Sequence, residues 1–258
     1  VMIDVSKEIV QKGMDNIRAA IQKSVEKGKI AATLRDEILR KIEPSFYLED
    51  AEEADLVIEA IVENMGVKKQ VFSKLDAVCP KQTIFTSNTS SLSITEMASA
   101  TSRADKVAGM HFFNPAPVMR LVEIVRGYQT SEETLSTLRE LATRLGKTPI
   151  VVKDVIGFAI NRLLTPFLNE AMYAIQEGVA TVEDIDTGVK LGLNHPMGPF
   201  ELADLIGLDT ILHIMEVMHD ELGERFRPCP MLRQMVNAGR LGRKSGRGFY
   251  EYTERKKP

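Results

Sequence analysis

The chain has little of what several functional classes require. It holds two cysteines in 258 residues, Cys79 and Cys229, which are too few for a disulfide framework or a metal site of their own. A formal net charge of -3 gives no basic field for nucleic-acid binding. No apolar run approaches the ~20 residues that a membrane span needs. The sequence therefore predicts structural thiols in a reducing, cytoplasmic compartment, with neither nucleic acid nor a membrane as partner.

The first half alternates short apolar runs with amphipathic segments, starting with a polar helical pattern directly after Asp4, so we expect no signal peptide. Such alternation is typical of a parallel sheet covered by helices. The predicted strands are residues 1–3, 42–47, 56–61, 83–86, 106–112, 121–125 and 150–152. The predicted helices are residues 6–40 with a break near Gly28, 67–78, a short one around Ile94, and one that opens with a Thr130–Glu133 capping box and closes at Gly146.

From about Asp154 onward the strand patterns disappear, and helices are predicted over residues 158–177, 182–191, 199–206 and 209–222. Thr181 and Asp209 are the expected N-caps of the second and fourth of these helices. We therefore predict an α/β fold in two domains. A Rossmann-type parallel sheet occupies residues 1–152, and an all-α domain occupies residues 153–258 and ends in a frayed tail at 253–258.

Polar residues follow the apolar runs of several predicted strands: Asp4, Glu63, residues 87–90 and His111. Ligands bind beyond the carboxyl ends of the strands in open parallel sheets. An acidic residue at a strand end is what a dinucleotide site uses to bind a ribose 2′-hydroxyl, and its charge repels the 2′-phosphate of NADP. Asp4 fits that role, and it fits equally a simple helix cap.

His111 and Glu123 are a candidate proton-transfer pair. The chain leaves along one predicted strand, turns at residues 114–117, and returns along the next strand, so Glu123 can come back beside His111. A carboxylate on one imidazole nitrogen fixes the tautomer and raises the basicity of the ring. The alternative is a core histidine with satisfied nitrogens and a surface glutamate.

The remaining motifs favour no second chemistry. His195, His213 and His219 lack a comparable setting, and His213 and His219 stand six apart, the wrong spacing for two ligands on one helical face. We therefore predict no metal site. The segment GRLGRKSGRG, residues 239–248, lacks the Gly-Lys pair and the preceding strand of a phosphate-binding loop. We interpret it as a flexible basic segment that could reach a phosphate or a nicotinamide.

Four stretches closely resemble the L-3-hydroxyacyl-CoA dehydrogenases, which include the bacterial 3-hydroxybutyryl-CoA enzymes. They are SNTSSLSI (87–94), AGMHFFNPAPVMRLVEIV (108–125), GFAINRLL (157–164) and HPMGPFELADLIGLD (195–209). The resemblance covers essentially the whole chain. It implies reversible NAD-linked oxidation of an (S)-3-hydroxyacyl-CoA to a 3-oxoacyl-CoA, in fatty-acid β-oxidation or butanoate metabolism.

The resemblance also implies roles for individual residues. His111 is the general base and Glu123 its carboxylate partner, while Ser90 and Asn161 bind the reacting oxygen and the thioester region. The positions that resemble NAD contacts are Asp4, Glu63, Lys68, Asn88, Ser90 and Lys244. Lys27 resembles a contact to a CoA phosphate, although it can equally be a solvated helix charge. The C-terminal helical domain is implied to form a homodimer, and the apolar residues at 163, 164, 167 and 168 offer a surface for it.

The sequence departs from the family at its start, because the strand and the G-x-G-x-x-G loop that precede the acidic residue are absent. The absent strand is the central one in the order 3-2-1-4-5-6. Three explanations are open: the sequence is part of a longer polypeptide, which we favour, the sheet closes over the gap, or another segment fills it. The departure leaves open a non-enzymatic acyl-CoA-binding or dimerising protein. A related NAD-dependent dehydrogenase acting on another hydroxy acid is a further alternative, since fold alone does not determine the substrate.

Overall fold

The structure is a computed structural model that describes residues 1–252, so the predicted tail at 253–258 lies outside the described residues. The strands are β1 (Met2–Ile3), β2 (Pro44–Ser45), β3 (Leu56–Glu59), β4 (Ile84–Ser87), β5 (Val107–Phe112), β6 (Leu121–Arg126) and β7 (Thr148–Lys153). The α-helices are α1 (Lys7–Glu26), α2 (Ala32–Arg40), α3 (Met65–Val78), α4 (Ile94–Ala98), α5 (Glu132–Arg144), α6 (Ile160–Gln176), α7 (Val182–Gly192), α8 (Pro199–Ile206), α9 (Leu208–Leu222) and α10 (Pro230–Asn237).

The strands form two sheets. β1 pairs in parallel with β2, and β3, β4, β5, β6 and β7 follow one another in a second sheet. β3 pairs in parallel with β4, and β4 with β5. The predicted α/β class is confirmed. Among residues 1–252, β3 is an edge strand of the second sheet. It does not pair with β1, and no other strand of this part of the chain lies between β1 and β3, so neither closure of the sheet over the gap nor filling by another segment is seen. The edge position explains why Ile58 is 45% exposed, although the apolar run predicts a buried strand.

Two compact units interleave along the chain. The first consists of Val1–Asn88, Ile94–Met110 and Arg126–Lys147. The second consists of Thr89–Ser93, His111–Val125 and the chain from Thr148 onward. The division between residues 152 and 153 stays a prediction.

Helix α3 packs against β4 in the first unit. Its N-cap, Asn64, accepts the amide of Val67 at 3.0 Å, and Phe72 on its buried face stacks on Phe85 of β4. β3 and β4 end together, because they pair in parallel with Glu59 in register with Ser87.

One predicted cap in the first unit is wrong. Ser131, rather than Thr130, caps α5, with its hydroxyl accepting the amide of Thr134 at 3.1 Å. The hydroxyl of Thr130 is engaged elsewhere, because it accepts the amide of Gly127 and donates to the carbonyl of Val107. Because the Thr130 hydroxyl already makes these two hydrogen bonds, it is not available to cap α5.

The helices of the second unit pack around an apolar core that includes Leu168, Met172, Phe200 and Met215. Thr181 caps α7 as predicted, and its hydroxyl accepts the amide of Asp184. The expected cap at Asp209 is wrong. α9 begins one residue earlier, at Leu208, and follows Gly207, whose φ of 105° is the left-handed geometry that glycine adopts readily.

The basic segment 239–248 packs closely against Asp204 of α8. Asp204, 1% exposed, accepts the amides of Phe249 and Tyr250, each at 3.0 Å. A Cβ at Gly248 would lie 1.9 Å from a carboxylate oxygen of Asp204. Glycine is therefore required at this position because the buried carboxylate approaches the backbone closely.

Candidate active site

His111 and Glu123 meet in the second unit. His111 is the fifth residue of β5 and Glu123 the third of β6, and His111 Nδ1 lies 2.8 Å from Glu123 Oε2. Both are buried, His111 at 6% and Glu123 at 0% exposure. The alternative of a surface glutamate is wrong. A buried carboxylate this close accepts the Nδ1 proton and leaves Nε2 as the basic nitrogen.

The second oxygen of Glu123 is held by the start of α6. Oε1 accepts the amides of Ala159 and Ile160, each at 3.0 Å. Gly157 and Phe158 direct these amides, because both have left-handed backbones with φ of 75° and 47°. Donors at a helix N-terminus favour a negative charge nearby, so the two amides hold the buried carboxylate of Glu123 in one orientation. The sequence offered no signal for these two amides.

Aromatic rings restrict the imidazole. The ring centroids of Phe113 and Phe158 lie 4.7 and 5.6 Å from that of His111. With Glu123 on Nδ1, these contacts leave the ring little rotational freedom. A general base with fixed orientation keeps its reactive nitrogen aimed in one direction.

Ser90 and Asn161 also lie in the second unit. Ser90 is half-buried in a loop whose shape comes from Thr89, since the Thr89 hydroxyl accepts the amides of Ser91 and Leu92. Asn161 is the second residue of α6, directly after the two amides that hold Glu123. The first turn of α6 thus carries both the support of the carboxylate and Asn161.

The predicted cofactor residues Asp4, Glu63, Lys68 and Asn88 lie in the first unit. Asp4, Glu63 and Asn88 follow strands that the sequence indicated, and Lys68 lies in the first turn of α3. Asp4 is exposed, and its Oδ1 accepts the neighbouring amide of Val5 at 2.7 Å. The alternative of a helix cap is wrong, because the N-cap of α1 is Ser6, and Asp4 is an accessible carboxylate. An exposed carboxylate at a strand end fits ribose hydroxyls, and the carboxyl edge of a parallel sheet is where dinucleotides bind. The accessible residues Asp4, Glu63 and Asn88 fit NAD at this edge.

Lys68 does not project into solvent. It is 1% exposed, and its Nζ lies 2.7 Å from Glu59 Oε1 and 3.3 Å from Glu63 Oε2. Glu59 was missed by sequence reasoning because it lies within the apolar run at residues 56–61. The available signal was the single carboxylate inside that run.

The two other predicted contacts are differently placed. Lys244 belongs to the second unit and forms an ion pair with Asp209, with its Nζ 2.5 and 2.7 Å from the two carboxylate oxygens. Burial raises the pKa of Asp209, but the ion pair with Lys244 and the hydrogen bonds from the backbone of Thr210 and Asp209 together outweigh burial and leave that pKa below its usual value. Lys27, the C-cap of α1, is exposed.

The remaining reactive groups support no second site. Burial raises the pKa of the Cys79 and Cys229 thiols, which favours the unreactive protonated form. Among residues 1–252, no group of His, Cys, Asp and Glu side chains could hold a metal ion. In the same part of the chain, every helix is too short or too polar to cross a bilayer.

Comparisons with known proteins identify one family over both parts of the chain. Residues 1–155 match the family described as 3-hydroxyacyl-CoA dehydrogenase, NAD binding domain, and residues 157–252 match the C-terminal domain of the same enzymes. The probable 3-hydroxybutyryl-CoA dehydrogenase of Bacillus subtilis is 53% identical over 98% of this chain and 89% of that protein. The mitochondrial hydroxyacyl-coenzyme A dehydrogenase of Homo sapiens is 44% identical over 98% of this chain and 83% of that protein.

Solved structures give the same result. The crystal structure of (S)-3-hydroxybutyryl-CoA dehydrogenase from Ralstonia eutropha superposes with a TM-score of 0.93 at 46% identity. The match covers 98% of this chain and 90% of that chain.

Proposed function

The chain belongs to the 3-hydroxyacyl-CoA dehydrogenase family, an NAD-dependent enzyme family, and we propose that His111 and Glu123 are its proton-transfer pair. The observation that carries this proposal is the 2.8 Å contact between His111 Nδ1 and a carboxylate that is itself held by two backbone amides. The reaction interconverts (S)-3-hydroxyacyl-CoA and 3-oxoacyl-CoA.

The residues divide the chemistry between them. NAD, when bound, supplies the acceptor for the hydride that leaves C3 of the substrate. His111 Nε2 removes the proton of the 3-hydroxyl group, and the resulting imidazolium is stabilised by Glu123. In the reverse direction the imidazolium returns this proton to the developing alkoxide. The amides of Ala159 and Ile160 keep the carboxylate in place throughout, so the pair needs little rearrangement during the reaction.

The substrate is proposed to be a short 3-hydroxyacyl-CoA such as the 3-hydroxybutyryl-CoA that names several relatives. Ser90 and Asn161 would donate hydrogen bonds to the reacting oxygen and the thioester region. Lys27, exposed at the end of α1, would contact a phosphate of CoA.

The proposed NAD contacts are Asp4 on the ribose hydroxyls, together with Glu63, Lys68, Asn88, Ser90 and Lys244. The carboxylate of Asp4 would repel a 2′-phosphate, so the enzyme would prefer NAD to NADP.

We propose a homodimer through the C-terminal helices. The apolar surface available for it is smaller than the four residues that the sequence indicated. Leu168 is 1% exposed and packs in the core of its own unit, whereas Leu163 on the same helix is 71% exposed. Leu163 can therefore contact a second copy and Leu168 cannot. Light scattering decides the point, since a dimer mass supports this proposal and a monomer mass overturns it. A cytoplasmic location is proposed from the buried free thiols.

Oxidation of NADH with acetoacetyl-CoA as substrate tests the function. Turnover with this substrate, and none with a simple 3-oxo acid lacking CoA, is the expected result. Binding of acetoacetyl-CoA without NADH oxidation would instead support the non-enzymatic alternative, which the family match does not favour. Turnover restricted to other hydroxy or oxo acids would support the other dehydrogenase.

A further inference from the structure

A buried cluster at the carboxyl edge of the first unit has no role yet. It consists of Glu59, Lys68 and Ser87, which we call the edge cluster. Glu59 and Ser87 end adjacent parallel strands and face each other in register. The side chains of Glu59 and Lys68 are each 1% exposed. Their position is the edge at which parallel sheets bind dinucleotides.

Every oxygen of Glu59 is engaged. Oε1 accepts Lys68 Nζ at 2.7 Å and the amide of Ile61 at 2.6 Å, and Oε2 accepts the Ser87 hydroxyl at 2.6 Å. Lys68 uses its remaining donors on the carbonyl of Ile61 and on Glu63. Glu63 is 30% exposed, so the chain of contacts runs from a buried serine to a carboxylate that reaches solvent.

Stability alone does not explain this arrangement. Removing two charges from water costs free energy that their attraction seldom exceeds, and an apolar pair of similar volume is commonly as stable or more so. A buried ion pair therefore indicates a need for fixed geometry at this edge. Lys68 Nζ lies between two carboxylates, those of Glu59 and Glu63. The formal charges of these three side chains therefore sum to -1.

We propose that Glu59 is a positioning residue for the nicotinamide dinucleotide, acting through Lys68. Ser87 and the amide of Ile61 orient the Glu59 carboxylate, and this carboxylate holds Lys68 Nζ beside Glu63 in the arrangement that receives the cofactor. Glu59 itself does not touch the cofactor. This inference rests on the proposed role of Lys68 and Glu63 as NAD contacts.

The test is direct titration of NADH by fluorescence, without substrate, combined with thermal unfolding. Glu59→Gln keeps the shape of the side chain and Lys68, but it loses the charge that orients the ammonium, so we expect NADH to bind about tenfold more weakly. We expect kcat at saturating NADH and acetoacetyl-CoA to change much less than the KM for NADH. Unchanged NADH affinity in a folded Glu59→Gln variant would overturn the proposal.

A double-mutant cycle separates action through Lys68 from direct contact. Lys68→Met should weaken NADH binding, and Glu59→Gln added to Lys68→Met should weaken it no further, because the residue being positioned is gone. Additive losses would overturn the positioning role. Unchanged binding in Lys68→Met alone would instead refute the proposed cofactor role of Lys68.

Asp76→Asn is the matched control. Asp76 lies near the other end of α3 and pairs with Arg103, which is 3% exposed, so this variant also breaks a buried ion pair in the same unit. It should lower the unfolding temperature and leave NADH affinity unchanged. If Glu59→Gln does not fold, Glu59→Asp serves instead, because it keeps the charge but draws it back by one methylene. Glu59→Asp should weaken NADH binding severalfold, and wild-type affinity would again contradict the inference.

Discussion

Glu123 Oε2 lies 2.8 Å from Nδ1 of His111, although the two residues stand 12 apart in the chain and on different strands. The same carboxylate accepts two amides at the start of α6, 36 and 37 residues further on. The acid is thus fixed from one side by a helix and orients the imidazole on the other. This arrangement supplies a base with one defined tautomer.

Replacing Glu123 by Gln tests the orienting acid. A neutral glutamine amide cannot stabilise the imidazolium that donates its proton to the alkoxide during acetoacetyl-CoA reduction, and its NH2 group can face Nδ1 and favour the other tautomer. We expect kcat to fall by about 10²–10⁴-fold with a small change in the KM for acetoacetyl-CoA. Glu133→Gln, on the exposed face of α5, is the control and should behave as wild type. A near-normal kcat for Glu123→Gln would show that the carboxylate has no part in proton transfer.

Replacing Gly157 by Ala tests the backbone that directs the two amides. An added Cβ would lie 2.0 Å from Met218 Cε and 3.1 Å from the Arg162 amide, at a φ of 75°. We expect a loss of about 1–3 kcal/mol in the free energy of unfolding and a lower kcat, because the start of α6 must shift.

Gly178→Ala is the matched control for this substitution, because Gly178 has the same φ of 75° with nothing within 4 Å of the added Cβ. It should cost about 1 kcal/mol from backbone strain alone and leave kcat unchanged. Denaturant unfolding and steady-state kinetics measure both variants. Equal effects of the two substitutions would remove the argument from crowding at Gly157.

The Asp76–Arg103 pair predicts acid sensitivity in the first unit. Burial raises the pKa of Asp76, but hydrogen bonds from Ser102 and Arg103 outweigh burial and leave that pKa below its usual value. A depressed pKa in the folded state contributes stability above the unfolded-state pKa, and this contribution is lost as the pH falls through the folded-state value.

Asp76→Asn should therefore cost about 2 kcal/mol near pH 7 and progressively less below about pH 4. Urea unfolding of both proteins across this pH range measures the difference. A difference between wild type and variant that stays constant down to about pH 2 would contradict the assigned shift.

The sequence predicted the helices and strands better than the residues that cap them and the contacts between them. The out-and-back course of the chain from His111 to Glu123 indicated that the two residues could meet, because two consecutive strands limit where the return can lie, but it left a core histidine and a surface glutamate as the alternative. Glu59 was hidden in an apolar run, and its role depends on Ser87 in the neighbouring strand. The amides of Ala159 and Ile160 could not be predicted either, since their direction comes from two left-handed residues. Cap choices at Ser131 and Gly207 depended on tertiary contacts that compete for nearby side chains.

The most direct test of the account is the kcat of His111→Gln for NADH oxidation with acetoacetyl-CoA. A glutamine amide has no basic nitrogen to exchange the proton with the substrate, so we expect turnover to fall by at least about 10²-fold, with the unfolding temperature and acetoacetyl-CoA affinity nearly unchanged. His213→Gln, an exposed position on α9, should retain wild-type turnover. A His111→Gln enzyme that keeps near-normal kcat would contradict the assignment of His111 as the general base.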